Sequence, residues 1–525
     1  MRGSRRVIAL VLMLFGALTT ASPAETGPSD RPNIVVFLVD DMGWQDTSVA
    51  FHASRTPQNK KFRTPNMERL AATGMKFTQA YASCVCSPSR ISLVTGLNAA
   101  RHRVTNWTLR MDTGTDAKHP TLDFPGWNVN GLSPRPGIAR TVQATPLPEL
   151  LKQAGYRTIH VGKAHFGAAG TPGADPRNLG FDVNIAGHAA GGPGSYLGEQ
   201  NFSGAWRKAD RIWDVPGLEA YHGKDIFLTE ALTIEAMAQI DRAIADRKPF
   251  FLYMAHYAVH VPFAADRRFV ERYRAAGLGE IEAMYAAMVE GMDKSLGDIM
   301  HRLEFHGIAE QTVVIFLSDN GGLSAHGRGG TPHKHNGPLS SGKGSAREGG
   351  IRVPWIVRWP SVTAPGSSCP HPVIIEDIFP TVLELAGAKN WHDRVGRIDG
   401  LSLVPLLRGH TPTSERSLLW HFPNSWGPKG PGIGPSSTLR KGDWKLIYYH
   451  TDRSYDLFNI ASDLGENTNL ADAEPARRTA MAKELASLLK EANATMPVVR
   501  STGQPVPWPG ESPEDFPKPD RYATP

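Results

Sequence analysis

Cysteine is scarce in this 525-residue chain, with Cys84, Cys86 and Cys369 as its whole supply. So few thiols exclude a disulfide-built scaffold and a cysteine-rich zinc site. An odd count asks instead which thiol is chemically special. If Cys86 is set apart, Cys84 and Cys369 could pair, but buried free thiols are the plainer expectation. Long apolar runs are lacking too. The N-terminal one, Val7 to Leu18 (VIALVLMLFGAL), falls short of the roughly 20 residues that a membrane span takes. Arg2, Arg5 and Arg6 precede it, small residues follow through Ala21 and Ala24, and no acid appears before Glu25. That pattern predicts a signal peptide over 1–24 and an exported protein, periplasmic or secreted, with no membrane association. Charge of one sign is also modest. The formal net charge of +6 falls to about +3 once the leader is removed, too little for a nucleic-acid partner. Internal repeats are absent.

The rest has globular composition, with 41% hydrophobic and 21% charged residues, which excludes wholesale disorder. Its length predicts one large domain and a smaller one. Asn33 to Val39 (NIVVFLV) is an unbroken apolar, β-branched run, the mark of a strand buried on both faces. Similar runs lie at Tyr156 to Val161, Pro249 to Met254 and Thr312 to Leu317. Helical stretches intervene at Leu147 to Ala154 and Ile281 to Leu303, so an α/β domain with a mostly parallel sheet is expected over 30–409. Such sheets bind ligands beyond the carboxyl ends of their strands. Asp40-Asp41, Lys163 with His165, His256 with His260, and Asp319-Asn320 all follow strand ends. Composition turns to linker near Gly409 to Ser414. Beyond it, Ser436 to Tyr449 reads as antiparallel strands and Pro475 to Asn493 as an amphipathic helix, giving a small α+β domain over 410–500. Residues 501–525 form a tail with seven prolines.

Asp40, Asp41, Asp319 and Asn320 offer only hard oxygen donors, which select calcium or magnesium. Upstream of the second pair lies Cys86-Ser87-Pro88-Ser89-Arg90, continued by Ile91 to Gly96 as CSPSRISLVTG. This stretch resembles the signature of the formylglycine-dependent sulfatases, C-x-P-S-R followed at fixed spacing by T-G. The resemblance extends over about 30–500 and is nearest in appearance to bacterial glycan sulfatases. It implies an alkaline-phosphatase-like fold: a large mixed, mostly parallel sheet flanked by helices, with a smaller C-terminal α+β domain. It also implies that a separate maturation enzyme oxidises Cys86 to formylglycine. One Ca²⁺ would then be held by Asp40, Asp41, Asp319, Asn320 and the oxygen carried at position 86.

The chemistry of such a residue is coherent. An aldehyde hydrate carries two hydroxyls on one carbon; one attacks the sulfur of a sulfate ester to give a covalent enzyme sulfate. The other then loses its proton and expels sulfate, whereas serine or cysteine would be left as a stable ester. Arg90, four residues on, shares a helix face with Cys86 and can stabilise the hydrate. Lys163 and His165 stand in GYRTIHVGKAHFG, similar to the family's G-K-x-H segment. His260 stands in HVP, where Val259 replaces the usual proline of P-H-x-P. Lys343 stands in SGKGSAREGGIRVP, similar to the G-K-G…E-G-G-I-R-V-P stretch. The resemblance assigns Arg90, Lys163 and Lys343 to the sulfate oxygens and a histidine, His165 or His260, to protonation of the leaving oxygen. Arg103 departs from the glycine of the family's R-H-G segment and could reshape the pocket.

Substrate recognition is expected from insertions around this edge. Trp107, Trp127, His188, His326, Arg328, His333 and His335 are the candidates, since aromatic platforms and polar loop groups suit a sugar ring. The expected substrate is a sulfated oligosaccharide or polysaccharide, with a galactose-type sugar as one option. Two alternatives stay open: a phosphate or phosphonate ester hydrolase of the same superfamily, and a non-catalytic glycan-binding protein.

Overall fold

The computed structural model describes residues 31–511 except 125, 207–209, 411, 413 and 414. The expected leader, most of the tail and part of the linker therefore lie outside the described residues. No helix among the described residues is long and apolar enough to cross a membrane.

An eight-stranded sheet organises the chain. Its strands are β1 (Asn33–Val39), β2 (Met75–Phe77), β3 (Arg157–Gly162), β4 (Val183–Ile185), β5 (Phe250–Ala255), β6 (Thr312–Ser318), β7 (Trp355–Arg358) and β8 (Ser367–Cys369). The spatial order is β8-β2-β7-β6-β1-β5-β3-β4. Only β7 runs against its neighbours; every other pairing that does not involve it is parallel. The apolar runs sit in the middle because strands covered on both faces need no polar side. Along β1, Val35, Phe37 and Val39 enter one core with Leu252, Met254 and Phe316. Ile34, Val36 and Leu38 enter the other with Phe251, Tyr253 and Leu317.

Helices cover both faces. Helix α1 (Cys86–Thr95) belongs to the second core, and α2 (Leu228–Ala245) and α3 (Glu280–Phe305) to the first. After residue 416 the chain forms a four-stranded antiparallel sheet from Ser417–Phe422, Ser436–Lys441, Trp444–Tyr449 and Tyr455–Asn459, packed by α4 (Pro475–Glu491). The architecture is the alkaline-phosphatase-like one expected, a mixed sheet between helices with an antiparallel C-terminal part. Cys84, Cys86 and Cys369 are all free and buried.

Candidate active site

Four parallel strands, β6, β1, β5 and β3, end side by side. Asp40 and Asp41 follow β1, Asp319 and Asn320 extend β6, Lys163 and His165 follow β3, and His260 follows β5. Asp41 and His165 both take left-handed backbone angles, φ 61° and 57°, which turn the chain sharply at the strand ends. From the facing side, α1 begins at Cys86 and so directs its positive end at the cluster. Lys343 arrives from the loop after β6.

These groups form one buried constellation. Suitable ligand atoms of Asp40, Cys86 and Asp319 all lie within 4.8 Å of one another. Lys163 Nζ is 2.7 Å from Asp40 Oδ2, and Lys343 Nζ is 2.5 Å from Asp41 Oδ1 and 3.3 Å from Cys86 Sγ. Arg90 donates to Asp319 Oδ2 at 2.8 Å and to the carbonyl of Lys163 at 3.0 Å. It therefore braces the carboxylates from behind and does not line the cavity in front of Cys86, so its direct contact is with the ligand set and not with the open space where a sulfate would sit.

The donor set fits a hard cation. Asp40 Oδ1, Asp41 Oδ2 and Asn320 Oδ1 are buried oxygens with no hydrogen-bond partner. Buried oxygens rarely stay unsatisfied, and three from one candidate ligand set mark a place for a cation. Three aspartates face three bases here; a divalent cation would bring the net formal charge to about +2, a field suited to an anion.

Burial pushes the Cys86 thiol up, and Lys163 and Lys343 offset this only in part. The unmodified thiol thus stays protonated and is a poor nucleophile. Burial would raise Asp41, but Lys343 and His260 carry it below the ordinary carboxylate range. Burial, reinforced by Lys343, holds His260 well below its usual value; burial and Lys163 do the same to His165. Each imidazole has one nitrogen occupied by a backbone carbonyl: His165 Nε2 by Thr108 at 2.8 Å and His260 Nδ1 by Val261 at 2.6 Å. Carbonyls only accept, so those nitrogens carry protons and His165 Nδ1 and His260 Nε2 are left for chemistry. His256, by contrast, turns away to Ser295 Oγ at 2.9 Å.

In front of Cys86 opens a cavity of about 510 Å³ lined by Trp107, Trp206, Trp213, Trp426, His165, His260, His326 and Lys343, among others. Of the loop candidates, Trp107 and His326 reach it. The others do not. Arg328 is buried, ion-paired to Glu282 at 2.8 Å and Asp46 at 3.2 Å, with its guanidinium 4.0 Å over the Tyr285 ring. Tyr285 in turn donates to Asp46 and to the carbonyl of Asp41, so Arg328 latches its loop to the loop carrying Asp41 and is not among the residues that line the cavity. His333 and His335 bond Ser324 Oγ, the His188 backbone carbonyl accepts from the His165 backbone N–H, and Trp127 packs on Phe124. Replacing Arg328 with Met strands two carboxylates, and a loss of about 3–5 kcal/mol in unfolding free energy is expected, read by chemical denaturation.

Sequence reasoning missed Trp206 and Trp213 from one segment, Trp426 from another, and the paired glycines Gly191-Gly192. A Cβ on Gly191 would sit 2.3 Å from the His165 ring, and one on Gly192 2.8 Å from the His260 ring. The glycine backbone is thus the wall against which both imidazoles rest. Gly191→Ala must displace His165 and is expected to lower kcat about 10- to 100-fold with little change in melting temperature. Steady-state kinetics with a melting curve checks it.

Comparison with known proteins follows the same lines. Residues 32–388 match the Sulfatase family model, and residues 343–495 match one described as N-sulphoglucosamine sulphohydrolase, C-terminal. A sulfatase of Formosa agariphila is 30% identical over 557 aligned positions, covering 96% of each chain. The N-acetylgalactosamine-6-sulfatase of Mus musculus is 32% identical over 493 positions, covering 88% of this chain and 85% of that one. The crystal structure of Ps i-CgsB in complex with k-i-k-neocarrahexaose matches with a TM-score of 0.69 at 27% identity, over 87% of this chain and 93% of that one.

Proposed function

This chain belongs to the sulfatase family and is a sulfuric ester hydrolase, and we propose that it removes sulfate from a sulfated saccharide using formylglycine made from Cys86 and one Ca²⁺. The observation that carries the reading is the meeting of Cys86 Sγ with Asp40, Asp319 and Lys343 at the floor of a tryptophan-walled cavity. The names of the relatives and neighbours, an N-acetylgalactosamine-6-sulfatase and a protein bound to a hexaose, support a saccharide. On this proposal a formylglycine-generating enzyme is the maturation partner, and the leader expected over 1–24 supports export, periplasmic or secreted.

When oxidised, position 86 supplies a hydrated aldehyde, a nucleophile for covalent catalysis that can discard sulfate again. Asp40, Asp41, Asp319 and Asn320 would hold calcium, which would supply Lewis-acid charge for the sulfate when bound. The chain's own residues do the rest. Lys343, beside Cys86 Sγ and on the cavity lining, offers an N–H donor to the sulfate where negative charge moves in the transition state, while Lys163 holds Asp40 from behind the lining. Arg90 fixes Asp319 and, through the Lys163 carbonyl, the turn that carries Lys163. His260 and His165 both line the cavity, and one of them protonates the leaving sugar oxygen.

A panel of defined sulfated saccharides, simple aryl sulfates and matched phosphate and phosphonate esters tests the proposal. Saccharide sulfates should be turned over, with phosphate monoesters at least about 100-fold poorer. Activity confined to aryl sulfates would sink the saccharide reading, and preference for phosphate or phosphonate esters would sink the sulfate one.

A further inference from the structure

Beyond the core chemistry, the wall of the cavity has an unusual make-up. Trp107, Trp206, Trp213 and Trp426 line it with Pro262, Pro428, Val85 and Val261. No aspartate, glutamate or arginine is among the described lining residues, and Lys343 is the one lysine. That lysine is committed to the floor, 2.5 Å from Asp41 and 3.3 Å from Cys86.

The indoles are built into position. Trp426 lies against Gly344, the residue after Lys343, so closely that a Cβ there would come within 2.1 Å of the ring. Gly344 also has a φ of 84°, so glycine is needed twice over, and the Trp426 seat sits one residue from the ammonium at the floor. His326 meets Trp426 edge-on at 6.0 Å, a polar group that stays on the wall. At the rim, the Trp206 N–H donates to the Gly194 carbonyl at 2.7 Å although the side chain is 61% exposed. Three polar groups of the glycine-rich loop are engaged elsewhere: Arg328 on Asp46 and Glu282, His333 and His335 on Ser324.

Resting on the saccharide reading above, we propose that the sugar held in this cavity is a pyranose whose sole anionic group is the scissile sulfate, gripped through its C–H faces by Trp107 and Trp426 with Trp206 at the rim. Indole faces favour the apolar faces of a sugar ring and offer nothing to a second charge. An additional sulfate or carboxylate on that ring would be stripped of water against aromatic walls where, among the described lining residues, Lys343 is the one lysine and there is no arginine. Specificity here is exclusion of doubly charged sugars as much as attraction of singly charged ones. Doubly sulfated residues would need another sulfatase to remove the second sulfate first, and sulfated uronic acids, whose carboxylate no hydrolysis removes, would stay excluded.

Methyl glycosides test this: a monosulfated galactopyranoside, the same sugar with a second sulfate, and the same sulfate ester on a galacturonic acid. The monosulfated sugar is expected to exceed both others in kcat/KM by at least about 100-fold. Trp206→Lys, a change at an exposed position, adds a cation at the rim and should narrow that gap at least about tenfold by raising kcat/KM for the doubly charged sugars. Trp426→Ala should raise KM for the monosulfated sugar more than it lowers kcat. Equal turnover of singly and doubly charged sugars, or an unmoved ratio in Trp206→Lys, overturns the inference while the saccharide reading stands. Turnover of aryl sulfates and of none of the sugars takes both down.

Discussion

Replacing Cys86 with Ala is expected to lower turnover of every sulfate ester by about 10⁵-fold or more, with the fold retained. The size of the effect follows from what the residue alone can do. Lys163, Lys343 and Arg90 hold charge in place around position 86, but none of them is poised to form a bond to sulfur that later releases sulfate. Nor can the unmodified thiol substitute, since burial keeps it protonated. Stability should change little because the side chain removed is small and makes one weak contact, to Lys343. The matching chemical measurement is built into the sequence. Trypsin releases Phe77 to Arg90 (FTQAYASCVCSPSR), which carries both Cys84 and Cys86. Active enzyme should yield this peptide with one alkylated cysteine, at Cys84, and with position 86 lighter by about 18 Da than cysteine, the difference between CH₂SH and CHO. Full activity from protein whose peptide carries two alkylated cysteines would defeat the assignment.

Much of this site was legible before any coordinates because the elements that deliver it are local. Seven residues from Asn33 to Val39 read as a buried strand and form one with those same ends. Asp40 and Asp41 must then lie at its carboxyl edge, and the same reasoning carries Asp319, Lys163 and His260 to neighbouring ends. His256 shows where that reasoning stops: four residues before His260, it points to the opposite side and is held by Ser295. Arg328 shows a different gap. In a glycine-rich loop it reads as a substrate-binding candidate, yet it closes on Asp46, far away in the chain, and no local pattern encodes that pairing. Trp206 and Trp213 likewise meet Trp426, some two hundred residues further on, in one wall. The same holds for Gly191, whose role exists only once the His165 ring lies against it.

His260→Ala is expected to cost about 10²–10⁴-fold on a saccharide sulfate and less than about tenfold on 4-nitrophenyl sulfate. A sugar hydroxyl is a poor leaving group and needs a proton as the S–O bond breaks, whereas nitrophenolate leaves without one. His260 suits the role because Nδ1 is fixed on Val261 while Nε2 faces Asp41 at 3.7 Å and borders the cavity, with 18% of the side chain exposed where a leaving sugar would depart. Its proton must come with the substrate. In the free site, burial and Lys343 hold its pKa well below the ordinary histidine value, so near neutral pH the ring is uncharged. A bound sulfate sets negative charge beside it and raises that pKa, and linkage then requires that binding takes up a proton. Inorganic sulfate as an inhibitor should therefore bind more weakly as pH rises between the two values, by up to about tenfold per pH unit. In His260→Ala that dependence should flatten, while His165→Ala should keep it. If instead His165→Ala shows the leaving-group dependence and flattens the inhibition profile, the proton is delivered from His165, through Nδ1, and His260 serves to hold Asp41.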